Sequence, residues 1–191
     1  MTDERPYHLI AIGGSAGSFP VILEILKGLP AELCIPIVFI IHRPRNVPSE
    51  MESILSVRKP MIEPEDKEVI EPCNLYLAPQ NYHLLIEEDY SFSLDYSELV
   101  NYSRPSIDVT FESVAAVFGH KAVGILLSGA NKDGSQGLLE IKKQGGMVIA
   151  QTPESSEFPY MPNSAVELIP DILRLNPGEI ANMIIKMQQA R

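Results

Sequence analysis

The stretch LIAIGGSAGS, residues 9–18, places a continuous apolar run directly before a turn of small residues. Short apolar runs of this kind are typical of strands buried inside a parallel sheet. The next segment, FPVILEILKGLP (19–30), carries apolar residues at helical spacing and has a proline where its first turn would be. The stretch therefore predicts a strand, a tight turn and a helix, which is the repeating unit of an α/β fold.

The same alternation continues along the chain. Further buried-strand patterns are CIPIVFIIH (34–42), KAVGILLSG (121–129), MVIAQ (147–151) and ILRL (172–175). Helical patterns are SEMESILSV (49–57), SIDVTFESVAAVFG (106–119), SQGLLEIKKQGG (135–146), NSAVELI (163–169) and PGEIANMIIKMQQAR (177–191). Residues 60–97 instead hold short strand-like runs broken by turn residues, which favours a hairpin or meander. We expect one domain over 1–191, with a doubly wound, mostly parallel sheet, helices on both faces and a small antiparallel hairpin.

Composition limits the classes of function. The net charge of −10 argues against nucleic-acid binding, which usually needs a basic face. No apolar run approaches the roughly 20 residues that span a bilayer, and the polar start MTDERPYH does not resemble a secretory signal. The two cysteines have neither CxxC nor metal-site spacing. We therefore expect a protein of the cytoplasm that does not enter a membrane or bind a metal.

Three polar residues follow three predicted parallel strands. Ser15 comes after the first strand, His42 ends the second, and Asp133 follows KAVGILLSG. Because the carboxyl ends of parallel strands meet at one edge of a sheet, we expect these side chains to share a crevice. A serine nucleophile, a histidine base and an aspartate that orients the histidine are the groups required for acyl transfer.

Each of the three residues also has a structural interpretation. Ser15 could cap the following helix or bind a phosphate, His42 could simply end a strand, and Asp133 before a glycine could form a turn. The turn lacks the dinucleotide fingerprint and the P-loop lysine, but it fits G-x-S-x-G, the nucleophile elbow. Since His42 precedes Asp133, the order differs from that of α/β-hydrolases. The sequence therefore predicts a serine hydrolase of another topology.

At this point the sequence resembles a known family, the catalytic domain of the CheB chemotaxis protein-glutamate methylesterases. The matching segments are IAIGGSAGS, VFIIHRP, LYLAPQNYHL, NYSRPSIDVTF, AVGILLSGANKDGSQGL, IKKQGGMVIAQ and MPNSAV. They occur in the family's order and cover nearly the whole chain. The resemblance implies a doubly wound α/β fold and places the family's nucleophile on Ser15, its base on His42 and its acid on Asp133.

The resemblance also implies a reaction. It predicts hydrolysis of glutamate methyl esters on chemoreceptors, with release of methanol and no cofactor; some family members also deamidate receptor glutamines. Cleft positions would be Ala16, whose N–H is the candidate oxyanion donor, together with Arg104, Ala130 and Met161. Ala130 replaces a methionine that the family often has in this loop. Nearby basic residues could meet an acidic receptor helix or be ordinary surface charge: Arg43, Arg45, Arg104 and Lys132.

Two alternatives stay open from the sequence. The chain could be a non-catalytic receptor-binding or signalling module that keeps the fold, or a hydrolase of a different ester or amide. The family's response regulators carry a receiver domain before the catalytic one, and no such domain is expected in this chain. The chain would then be either a standalone esterase-like protein or a fragment. If it is standalone, regulation by a partner or by expression would replace phosphorylation of an attached receiver.

Overall fold

The architecture is a single central sheet, seen in a computed structural model that describes residues 7–44, 50–56 and 59–189. Within these ranges seven strands lie side by side in the order β3-β4-β2-β1-β7-β8-β9, and all six neighbouring pairs are parallel. Those strands are β1 (Leu9–Gly14), β2 (Ile37–Ile41), β3 (Met61–Ile62), β4 (Leu75–Leu77), β7 (Ala122–Leu126), β8 (Met147–Gln151) and β9 (Leu173–Leu175). The predicted parallel sheet is confirmed.

Helices cover both faces of the sheet. They are α1 (Ser18–Gly28), α2 (Met51–Leu55), α3 (Ile107–Phe118), α4 (Ser135–Lys143), α5 (Tyr160–Leu168) and α6 (Pro177–Gln189). Helices α1 and α6 pack on one face, and α3, α4 and α5 pack on the other. Alternate residues of β1 divide between the two layers: Ile10 and Ile12 point to α1, while Leu9 and Ala11 point to α3. This arrangement explains why the strand is apolar throughout.

Residues 60–97 divide between two sheets. Only β5 (His83–Ile86) and β6 (Phe92–Asp95) form the predicted antiparallel hairpin. The segment NLYLAP supplies β4, which pairs in parallel with β2 instead of joining a meander. Short apolar runs do not show which partner a strand will find, because that depends on distant parts of the chain.

The strand order reverses direction beside β1. The chain moves outward to one side through β2, and later returns to place β7 against the other side of β1. A crevice forms beyond the carboxyl ends of strands at such a switch point. The residues that follow β1, β2 and β7 therefore come together at one edge.

No helix among residues 7–44, 50–56 and 59–189 combines the length and the apolar character that crossing a membrane requires.

Candidate active site

A tight turn after β1 presents Ser15 at the edge of the sheet. Gly17 has a φ of +73°, and an added Cβ would lie 2.8 Å from both Glu157 Cβ and Ser128 Oγ. The Ser15 carbonyl accepts hydrogen bonds from Ser18 N at 3.1 Å and from Ser18 Oγ at 2.7 Å. Small residues are required here because the chain reverses into α1 against its neighbours.

His42 and Asp133 are in direct contact. His42 Nε2 lies 2.8 Å from Asp133 Oδ2, although the residues are 91 positions apart in the chain. His42 is anchored beside the Ser15 turn, since its backbone N–H donates to Gly14 O at 3.1 Å. The strand ends thus bring the predicted base and the predicted acid together.

Asp133 is fully buried and held by several donors. Its carboxylate accepts from His42 Nε2 (2.8 Å), Ile107 N (2.7 Å), Ser106 Oγ (2.9 Å), Asn101 Nδ2 (3.1 Å) and Asp108 N (3.2 Å). Burial raises the pKa of this carboxyl, but the hydrogen bonds from His42, Ile107 and Asn101 outweigh that effect and leave the pKa below its usual value. Asp133 is therefore an ionised acceptor that fixes the ring of His42.

The remaining ring nitrogen of His42 faces two other residues. Ser103 Oγ lies 3.3 Å from His42 Nδ1, and Asn131 Nδ2 lies 3.4 Å from the same atom. Within the part of the chain that the structure describes, Ser15 Oγ makes no hydrogen bond. Because Asp133 engages Nε2, Nδ1 is the ring nitrogen that faces Ser103 and Asn131, and the predicted hydrogen bond between Ser15 and His42 is not formed among the described residues.

The sequence did not predict the turn that supports the His42–Asp133 pair. Residues 100–103 form a two-residue turn closed by Ser103 N to Val100 O at 2.9 Å, and Asn101 and Tyr102 both have positive φ. Asn101 Nδ2 donates to Asp133, and Ser103 contacts His42. The turn lacks the glycine that usually marks this backbone geometry, so only its asparagine could have signalled it.

A second buried carboxyl lies beside the first. Asp108 accepts from Gly137 N at 2.8 Å and from Asn101 Nδ2 at 2.9 Å, so Asn101 bridges Asp108 and Asp133. Burial, followed by the negative charge of Asp133, raises the pKa of Asp108 to about 6. Asp108 also lines a groove of about 660 Å³ between α3, α4 and α5.

The raised pKa of Asp108 predicts a specific pH dependence of stability. The folded chain keeps this proton up to about pH 6, whereas the unfolded chain releases it near 3.8. This contribution to stability is full below pH 3.8 and is lost as the pH rises through 6, by up to about 3 kcal/mol. We therefore expect wild type to lose stability relative to Asp108→Asn as the pH rises through this range. The measurement is the free energy of unfolding of each protein in urea.

Only the pH slope serves as the readout, because the new amide changes the contact with Asn101 at every pH. The exposed Glu154→Gln is the control for removing one carboxyl. If the difference in unfolding free energy between wild type and Asp108→Asn stays constant from pH 4 to 7, this result would contradict the raised pKa of Asp108.

The four predicted cleft residues take different positions. Ala16 lies in the Ser15 turn, and Ala130 is exposed just before Asn131. Arg104 lines a small cavity with His42, but its guanidinium stacks 3.8 Å from the ring centre of Tyr96. Met161 was wrongly predicted to line the cleft: it is fully buried and packs beneath Gly129, where an added Cβ would lie 2.5 Å from Met161 Cε.

Two of the described basic residues, Arg43 and Arg104, line the small cavity beside His42, while the third, Lys132, lies elsewhere. Arg43 is buried and pairs with Glu63 at 2.7 Å, while it also donates to Ala78 O at 2.6 Å. Lys132 is exposed and lines the groove that contains Asp108. Arg45 lies outside the described residues. Arg43 therefore has structural partners of its own, Glu63 and Ala78, although it borders the cavity beside His42.

Comparison with known proteins points to one family. A family model for the CheB methylesterase matches residues 10–184. A relative from Leptospira interrogans, whose name pairs protein-glutamate methylesterase with protein-glutamine glutaminase, is 41% identical over 187 residues, which is 96% of both chains. A Methanospirillum hungatei protein-glutamate methylesterase/protein-glutamine glutaminase is 34% identical over 96% of this chain and 53% of its own length.

The fold has a solved counterpart as well. The crystal structure of the Thermotoga maritima CheB methylesterase catalytic domain matches with a TM-score of 0.89 and 29% identity. The match covers 95% of this chain and 98% of that one. The predicted departure from the α/β-hydrolase topology is therefore confirmed by a relative of the same fold.

Proposed function

The chain belongs to the CheB methylesterase family, and from this premise we propose that it hydrolyses glutamate methyl esters on chemoreceptors with Ser15, His42 and Asp133. The observation that carries the proposal is the 2.8 Å contact between His42 Nε2 and Asp133 Oδ2 beside the Ser15 turn. A carboxylate bonded to one ring nitrogen fixes the tautomer and favours the imidazolium that forms during the reaction.

His42 acts through Nδ1 in this proposal. Its Nε2–H donates to Asp133, so the lone pair lies on Nδ1. Ser103 Oγ, now 3.3 Å from Nδ1, gives up this position to Ser15 Oγ when the substrate binds. An exchange of this kind is consistent with the behaviour of other enzymes, because catalytic hydrogen bonds often shorten only in the substrate complex.

The reaction proceeds in two acyl-transfer steps. Ser15 Oγ attacks the ester carbonyl while His42 Nδ1 takes its proton, and the tetrahedral adduct breaks its bond to methoxide, which leaves as methanol with that proton. Water then attacks the glutamyl–Ser15 ester with His42 again as the base. The products are free Ser15 and a glutamate carboxyl. With a glutamine side chain the first step would release ammonia.

The backbone N–H of Ala16 stabilises the oxyanion in both steps. The Ser15 carbonyl points to Ser18, and in a trans peptide the N–H points the opposite way, so Ala16 N–H is directed away from α1. Among the described residues no acceptor takes this hydrogen. Loss of one such donor costs other enzymes roughly 3–4 kcal/mol.

The family supports a proposal for the substrate and for its location. Relatives are named for protein-glutamate esters and protein glutamines, and we propose methyl-accepting chemotaxis receptors as the proteins that carry them here. The reaction would take place in the cytoplasm, on the receptors' signalling helices. The competing hypothesis is a binding module, which would not need a His42–Asp133 pair at the end of the strands.

The test is an assay with purified protein and a receptor carrying isotopically labelled methyl esters. We expect release of labelled methanol, and we expect a fluorophosphonate probe to label Ser15, as read by peptide mass spectrometry. Binding of the receptor with neither methanol release nor labelling would replace the enzyme with the binding module. Labelling and hydrolysis of small esters without action on receptors would keep the chemistry but overturn the substrate.

A further inference from the structure

Two fully buried polar side chains lie behind the Ser15 turn and have no role in the steps above. Ser128 follows β7 by two residues, and Gln151 is the last residue of β8; neither is exposed to solvent. Burying a polar side chain costs free energy unless it finds hydrogen-bond partners. Their partners therefore show what the buried pair holds in place.

Gln151 holds Ser128, and Ser128 holds the turn. Gln151 Oε1 accepts from Ser128 N at 2.9 Å, and Gln151 Nε2 donates to Ser155 O at 3.0 Å. Ser128 O accepts from Ser15 N at 2.9 Å, and Ser128 Oγ donates to Ala16 O at 2.8 Å. Ser128 Oγ also lies 3.3 Å from Phe158 O, which is farther than Ala16 O. The same hydroxyl oxygen accepts a hydrogen bond from Phe158 N at 3.0 Å. Ser128 thus fixes the turn at two successive residues.

The bond to Ala16 O sets the direction of the next amide. In a trans peptide the N–H points opposite to the C=O, so Gly17 N–H points away from Ser128. Ser128 lies on the β7 side of β1, and β2, which leads to His42, lies on the other side. Gly17 N–H is therefore directed away from the β7 side, where Ser128 lies, and no hydrogen-bond acceptor takes it among the described residues.

We infer that Ser128, held by Gln151, is a positioning residue that turns the Ala16–Gly17 peptide so that Gly17 N–H joins Ala16 N–H in binding the oxyanion. The inference rests on the proposed function, since it assigns this role to the turn that carries Ser15. Without the Ser128 hydroxyl, Ala16 O loses its partner and this peptide is free to rotate. The amide would then be less well aimed when negative charge develops on the substrate oxygen.

The main variant is Ser128→Ala, assayed for methanol release with labelled receptor. We expect kcat to fall roughly 10- to 100-fold with KM changed less than about twofold, because oxyanion binding acts in the transition state and not on the bound ester. Gln151→Met should lower kcat in the same direction by a smaller factor. An unchanged kcat in Ser128→Ala, or a rise in KM alone, would overturn the inference.

Ser113→Ala is the matched control. Ser113 Oγ also accepts a backbone N–H, from Ile86 at 3.1 Å, and donates to a backbone carbonyl, that of Thr110, at 2.8 Å. It joins α3 to β5 and contacts neither His42 nor the Ser15 turn. We expect a comparable loss of stability in urea unfolding with wild-type kcat. Equal losses of kcat in both variants would show a general structural effect and refute positioning.

A second readout separates this inference from the proposed substrate. A small alkylboronic acid forms a tetrahedral anionic adduct with a reactive serine, and calorimetry measures its affinity without any receptor. We expect Ser128→Ala to bind the boronic acid at least tenfold more weakly than Ser113→Ala does. If wild type binds it but leaves receptors unchanged, only the proposed substrate fails. If wild type does not bind it at all, both the nucleophile and its positioning fail.

Discussion

Ser15→Ala is expected to lower methanol release from methylated receptor by roughly five to six orders of magnitude. The substitution removes the only atom that forms a bond to the substrate in the proposed reaction, and loss of a serine nucleophile has an effect of this size in other hydrolases. The fold should be unaffected, because Ser15 is half-buried and its hydroxyl makes no hydrogen bond within the described ranges. The measurement is a single-turnover assay with excess enzyme, which detects very slow release.

Receptor binding and stability serve as controls for this variant. Ser15→Ala should bind methylated receptor as wild type does and unfold at the same urea concentration, and Ser113→Ala reports the general effect of removing a serine hydroxyl. Methanol release by Ser15→Ala above about one per cent of the wild-type rate would assign the nucleophile to another residue, and Ser103 beside His42 would be the first to replace.

Asp133→Asn should lower kcat roughly 10⁴-fold, the loss known for the equivalent change in a serine protease. An amide that presents its NH₂ to His42 Nε2 would force the proton onto Nδ1, and Nδ1 could then no longer take the proton of Ser15. If the amide oxygen faces Nε2 instead, the NH₂ meets three donors: Asn101 Nδ2, Ser106 Oγ and Asp108 N. Either orientation leaves a buried donor without an acceptor, at a cost of about 1–3 kcal/mol in stability.

Asp108→Asn is the matched comparison, since it changes a neighbouring buried carboxyl on the other side of Asn101. It makes no contact with His42, and its kcat should fall by less than about tenfold. The two variants are compared in kcat for methanol release and in unfolding free energy at one pH. If kcat falls equally in both variants, a general disturbance of the buried carboxyls explains the loss, and the tautomer of His42 does not.

Local signals were enough to find the elements and three of the strand ends. Apolar runs before Ser15, His42 and Asp133 indicated buried strands, and parallel strands meet at one edge whatever their order. The same signals failed for β4, which joined the main sheet, and for Met161, which lies in the core. A methionine in the first turn of a helix faces either the core or the cleft according to the loop packed over it, and here that loop includes Gly129.

The sequence did not indicate the roles of the residues that support the site. Asn101, Ser103, Ser128 and Gln151 lie in segments that resemble the family, but nothing in the sequence assigned these four residues a role, and each acts on a partner at least 23 positions away. Short polar side chains gain their roles from the donors and acceptors that the fold places near them, and sequence spacing does not encode such distances.

By itself the sequence determined the alternation of strands and helices, the family, and which serine, histidine and aspartate would share an edge, because strand patterns and turn residues are local properties. Only the tertiary structure decided that Nε2 of His42 meets Asp133 and leaves Nδ1 for the base, and that Ser128 holds the turn of Ser15. Both depend on the direction of individual hydrogen bonds between distant segments, and those directions exist only once the sheet is packed.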